Sequence, residues 1–192
     1  MTTFLTAPWS SPQRVSSRLI TPPSAEPITL DEAKLAAGLD WPSGDPRDQQ
    51  MTDWIRAARE QVERDTGLAL LTQTRHVTIT VVPGGVVPLP AQAVPLQSIT
   101  ALEVAPVATV VGWGVSFPPE AAPLTTTYEI VSGWPDPATL ATEAPLLVHA
   151  VSVLTAHYAT FGRDLALPDM RVTMTPHGYN EAVDSYRLVW LT

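Results

Sequence analysis

The chain has 192 residues, eleven basic against nineteen acidic side chains, a formal net charge of −8 and no cysteine. That balance argues against a protein that holds nucleic acid by neutralising phosphates, since no run of basic residues offsets it. The missing cysteines exclude a disulfide framework and any thiolate metal site.

Size scaling predicts one domain, with arms, able to bury about 70% of its unfolded surface. Met1–Ser17 lacks both a basic start and an unbroken apolar run, so no signal peptide is expected. No apolar stretch approaches the ~20 residues of a membrane span, and a soluble chain without a membrane partner is the expectation.

The first 27 residues contain Pro8, Pro12, Pro22, Pro23 and Pro27 and show no helical periodicity. They predict an extended arm, residues 1–27, that becomes ordered only in an assembly. Phe4, Leu5, Trp9, Leu19 and Ile20 are its candidate anchors for a groove on a neighbouring subunit.

Thr29 followed by Glu32 is a capping-box pattern and opens a predicted helix over 30–39. Pro42, Gly44 and Pro46 break the chain, and Asp48 is read as the cap of a second helix over 48–66. Met51, Trp54, Ile55, Ala58 and Val62 recur at spacings of three and four, giving one apolar stripe. Arg56, Glu60 and Arg64 lie opposite at i,i+4 spacing, a solvated face. Gly67 stands where a left-handed C-cap belongs.

From Gly67 to Thr127 only Arg75, Glu103 and Glu120 are charged. This stretch is the predicted β insertion, 70–132. Leu71, Arg75, Val77, Ile79 and Val81 alternate with threonines and His76, as in a half-buried strand. A second strand is expected over 94–104 with Leu96, Thr100, Leu102 and Val104 on one face, and weaker strands near 107–111 and 125–131. Eight prolines between Pro83 and Pro123 predict short, edge-like strands.

A third helix is predicted over 144–161, with Thr142 as cap and Pro145 in the first turn. Leu147, Ala150, Val151, Leu154, Tyr158 and Phe161 form its stripe, widened by Leu146 and Val153, so burial on most sides is expected. Residues 163–192 read as a C-terminal arm whose Tyr186, Leu188, Val189, Trp190 and Leu191 are unusually apolar for a chain end. The fold class predicted from these elements is α+β: a mainly helical core of three main helices within a core domain at 28–162, a small antiparallel β insertion, and extended N- and C-terminal arms.

The search for chemistry returns little. The chain contains no G-x-S-x-G, no phosphate-binding G-x-x-x-x-G-K-[ST], no G-x-G-x-x-G after a strand and no H-E-x-x-H. His149 and His157, eight residues apart on one helix, diverge by about 80°. Asp40, Asp45, Asp48 and Asp53 lack the spacing of a calcium loop. Trp113 and Trp134 sit beside glycines at turns as aromatic plugs. No catalytic residue, cofactor or metal is therefore expected.

The segment EPITLDEAKLAAGLDWPSGDPRDQQMTDWIRAAREQVERDTGLALLTQT, with RLITPPSAEPITLDEAK before it and VPLQSIT and APLLVHAVSVLTAHYATFGRD after it, resembles the head-to-tail connector (adaptor) protein family of long-tailed phages and phage-like gene-transfer particles. The resemblance runs from about Arg18 to Arg187. It departs at the longer arm before Leu19, the loop at Pro118 and Pro119, and the residues after Arg187.

The resemblance implies a non-enzymatic virion protein at the head–tail junction, assembled in the bacterial cytoplasm. It would form a ring of commonly twelve copies between the portal protein and a tail-side stopper or tail-end protein. DNA would pass through its channel without sequence-specific binding. Tyr179, Tyr186, Arg187, Leu188, Val189, Trp190 and Leu191 are candidates for the portal contact. The competing expectation is a small hydrolase or ligand-binding domain with a pocket between the β insertion and the last helix.

Overall fold

The computed structural model describes residues 15–122, 124–161, 176 and 178–187. Among these there are five helices and seven strands, in the order one strand, two helices, six strands and three helices. The strands form two antiparallel sheets, and about 36% of the described residues are helical against 26% in strands. This corrects the expected mainly helical core, because the β part is a comparable partner in it. Short, proline-broken strands give weak local signals, and what makes them sheets is pairing between segments far apart in sequence.

The first helix, α1 (Leu30–Ala36), carries the full capping box: the Glu32 N–H donates to Thr29 Oγ1 at 3.2 Å and the Thr29 N–H to Glu32 Oε2 at 2.7 Å. The second, α2 (Arg47–Thr66), buries Met51, Ile55, Ala58 and Val62 as the stripe predicts, with Trp54 half-buried beside them. Gly67 ends it at φ 79°, its N–H donating to Glu63 O at 3.0 Å.

Asp48 is not the cap it was expected to be, because Pro46 holds that position. Its carboxylate instead gathers the loop between the two helices. It lies 2.8 Å from Lys34 Nζ and accepts from Trp41 Nε1 and the Gly44 N–H, both at 2.7 Å. These partners, the lysine first, hold the Asp48 carboxyl below the usual range. A carboxyl lowered by folding stabilises the fold above its ordinary value, and that stability is lost as pH falls through the folded value. Asp48→Asn is therefore expected to melt lower than the parent at neutral pH, with the gap closing below about pH 4. A gap that stays constant in thermal melts from pH 7 to 3 would rule out the ionic role.

A helix that was not expected, α3 (Pro137–Glu143), precedes the last long one, α4 (Pro145–Phe161). Asp136 caps α3 and Pro137 opens it, so Thr142 lies in its last turn, donating to Ala138 O, and caps nothing. On α4, Leu147, Ala150, Val151 and Leu154 are buried, whereas Leu146 and Phe161 are exposed, so the buried stripe is narrower than expected. A short α5 (Tyr179–Asp184) packs on α4 and α2, and α1 packs on both of these helices.

The larger sheet has the order β1–β2–β7–β4. Its central pair is β2 (Gln73–Thr80) and β7 (Thr125–Ser132), registered Gln73 to Ser132 and Thr80 to Thr125. One face buries Val77 against Tyr128 and Ile79 against Thr126; the other carries Thr78–Thr127 and Thr80–Thr125 hydroxyl pairs at 3.1 Å. The edge strand β1 (Ser16–Thr21) is drawn from the segment read as an arm and pairs with β2 of its own chain.

The other edge, β4 (Leu96–Ala101), has a register shift between Leu96 and Ser98. A one-residue irregularity turns every later side chain to the other face. That is why Ile99 and Ala101, and not Thr100, Leu102 and Val104, lie toward the core. The smaller sheet has the order β3–β6–β5, from Val86–Pro88, Gly114–Ser116 and Thr109–Val111.

Candidate functional site

Three surfaces carry the residues that sequence or structure singles out. At the N-terminal side, Leu19 and Ile20 lie on the open edge strand β1, each 41% exposed. Phe4, Leu5 and Trp9 lie outside the described residues.

At the C-terminal side the candidate set divides. Tyr179 is 2% exposed, within the core of its own chain, where its hydroxyl donates to Asp65 Oδ2 at 2.8 Å. Burial first, and then that hydrogen bond to a carboxylate, push its phenol well above the ordinary value. Tyr186 is half-buried; Arg187 is exposed and donates through Nε to Asp65 O at 3.2 Å. These bonds tie α5 to the end of α2, so the portion of the set that offers surface is Tyr186 and Arg187. Leu188, Val189, Trp190 and Leu191 lie outside the described residues.

The third surface was not anticipated. Between β4 and β6 the chain exposes Leu102, Val104, Val107, Val110, Val111 and Trp113. Val104 is fully exposed and Val107 79% exposed, and all three residues of β5 are exposed. Within 102–113 the one charged residue is Glu103. The signal in the sequence was the run of valines with few charges, read there only as the end of one strand and a weaker strand near 107–111.

A polar cleft of about 770 Å³ lies between residues 19–26, α2 and β2. Its floor is an ion network that sequence reading missed, because Arg59 and Glu63 sit one position beyond the apolar stripe of α2. Arg59 Nε donates to Glu26 Oε2 and Nη1 to Glu63 Oε2, both at 2.8 Å. Glu63 also accepts the Leu70 N–H at 2.9 Å, which anchors the link from helix to sheet. Burial raises the Glu63 carboxyl above its ordinary value, opposed by the nearby Arg59 charge and the Leu70 N–H. The guanidinium of Arg75 donates to Ser17 Oγ at 3.2 Å and to Gln92 Oε1, bracing β1 and the 90–93 turn.

Among the described residues no three His, Asp or Glu side chains are placed to hold a metal ion. His76 faces Glu129 across the sheet at 3.7 Å, and the His157 ring lies against Phe161, tilted by 44° with centroids 4.7 Å apart. Trp134 donates to Glu143 at 2.8 Å, while Trp113 is 55% exposed. No single helix among these residues is long and apolar enough to cross a membrane.

No family model matches the chain, and no curated protein matches it in sequence. Solved structures do. A chain in the virion of a native gene transfer agent (GTA) particle superposes with a TM-score of 0.69 at 18% identity, over 92% of this chain and 97% of that one. One in the neck of an empty GTA particle computed with C6 symmetry gives 0.68 at 18% identity over the same shares. Another, in the neck of a native GTA particle computed with C12 symmetry, gives 0.62 at 19% identity over 91% and 97%. At such identity the likeness establishes the fold, which is shared along nearly the whole length of both chains.

Proposed function

We propose that the protein is a structural component of a phage-like particle's neck: a non-enzymatic head-to-tail adaptor that assembles as a ring between the portal and a tail-side stopper or tail-end protein. The observation that carries this reading is the near full-length likeness in fold to chains of GTA particle necks, described with six- and twelve-fold symmetry. A ring of twelve copies fits that symmetry, and a head-to-tail contact whose rotation closes produces such a ring. The net charge of −8 fits a channel wall past which DNA slides. For the portal contact the reading takes the segment following α5, beginning with Tyr186 and Arg187.

The direct test is removal of the gene from the producing cell. Filled heads without tails are expected by electron microscopy, and the protein should appear beside portal protein in mass spectra of intact particles. Normal tailed particles from the deletion strain would end this reading.

A further inference from the structure

Residues leaving β2 enter β3, those leaving β4 enter β5, and those leaving β6 enter β7. In the order β1–β2–β7–β4 the strands β1 and β4 are opposite edges of the larger sheet, and the chain leaves β4 through residues 102–108 to reach β5, an edge strand of the smaller sheet, so that this continuous β4–β5 stretch makes one flank and β1 the other. Among the described residues, β1, β4 and β5 each have a strand on one side only. Edge strands ordinarily guard their open backbone with charges, proline or a covering element. Here Arg18 is the one charge on β1, and β4 and β5 carry none. The β4–β5 flank also holds the exposed apolar segment of residues 102–113. So many exposed apolar side chains with Glu103 as their one charge, on a chain of net charge −8, mark a contact.

We propose that the β4–β5 flank of one copy of this chain packs on the β1 flank of the next copy, burying residues 102–113 against Leu19 and Ile20. The inference rests on the ring reading above and adds to it which two faces meet. A second copy is the fitting occupant for two reasons. A ring needs two different faces on opposite sides of each subunit, whereas a patch meeting itself closes a dimer and stops. Strands β1 and β4 are opposite edges of the larger sheet, and the two flanks match: open backbone faces open backbone and apolar side chains face apolar side chains.

The chain has no cysteine, so introduced thiols are the subunit's sole reporters. Val111 and Ile20 are both exposed, so replacing them leaves the core intact. Particles whose subunits carry Val111→Cys together with Ile20→Cys, treated with a short bismaleimide, are expected to give a ladder of linked subunits on a denaturing gel. Particles with either substitution alone should give monomers. Dimers from Val111→Cys alone would mean that the strand meets its own symmetry mate, and monomers throughout would mean that other surfaces join the copies. A Val111→Cys thiol shielded from maleimide in the dispersed subunit would place the chain's own segments over the strand. Each of these results overturns the proposal while leaving the ring reading standing. Absence of the protein from purified particles is the separate result that removes the ring reading, and this inference falls with it.

Discussion

Replacing Arg59 with alanine is expected to lower the unfolding free energy by about 3 to 5 kcal/mol, the range for removing one member of a buried ion pair. The side chains of Arg59 and Glu63 are 6% and 4% exposed, so in the intact pair each has the other in place of water. Glu63 cannot turn away, because its other oxygen holds the Leu70 N–H at the junction of helix and sheet. The pH dependence identifies the cause. Burial already raises the Glu63 carboxyl, and without Arg59 it rises further. A carboxyl whose folded value is raised destabilises the fold above that value, and the penalty lifts as pH falls through it and the group takes up a proton. Urea titrations should therefore show the gap between variant and parent narrowing as pH falls from neutral toward the ordinary carboxylate range. Adding Glu63→Gln to Arg59→Leu, which removes the charge and keeps an acceptor for Leu70, should recover most of the loss. A loss under about 1 kcal/mol for Arg59→Ala would place the pair in the class of exposed ion pairs.

The second large effect is expected at a residue with no side chain. Gly133 has φ +101°, and a Cβ built there would lie 2.2 Å from Leu71 O and 2.9 Å from Thr72 N. Three segments meet at this point: the Gly133 N–H donates to Pro95 O at 2.8 Å, Gly133 O accepts from Gln97 Nε2, and the neighbouring Trp134 O accepts the Thr72 N–H at 2.9 Å. Gly133→Ala combines unfavourable backbone, about 1 to 3 kcal/mol by itself, with a clash against main chain that cannot rotate aside. A total of at least about 3 kcal/mol is expected, or failure to accumulate as folded protein. Gly38→Ala is the comparison, since it has φ +63° and nothing within 4 Å of the added carbon. Equal losses at the two positions would show that backbone conformation alone sets the effect.

What could be read from the sequence was what depends on neighbours along the chain. The capping box at Thr29 and Glu32, the stripe of α2, its glycine stop and the buried positions of α4 each follow from spacings within a few turns. The Asp136–Pro137 start of α3 was equally local and legible in principle, but the longer apolar run behind it took the signal. The elements that escaped are those fixed at a distance. Strand β1 has no alternation and exists because β2 offers it an edge. The register shift in β4 reverses its faces without any glycine or proline within the strand to announce it. Arg59 and Glu63 look like solvated helix charges until Glu26 and Leu70 fold over them. The apolar segment of 102–113 has the composition of a buried strand, and only the three-dimensional arrangement shows it on the outside.

The pairing of β2 with β7 also sets an order of events during synthesis. When β2 emerges from the ribosome, β1 is already available on one side, but the partner for the other side has yet to be translated. Thr80 waits for Thr125 and Gln73 for Ser132, an interval on the order of seconds at ordinary rates of elongation. Throughout it, Val77 and Ile79 have no sheet to complete and α2 has no α4 to lie against. The nascent chain is then a half-built sheet with one open side, the state in which an unfinished neighbour on the same messenger can occupy the place meant for β7. Slowing initiation, so that fewer unfinished copies coexist, should therefore raise the soluble yield of this chain more than slowing elongation does.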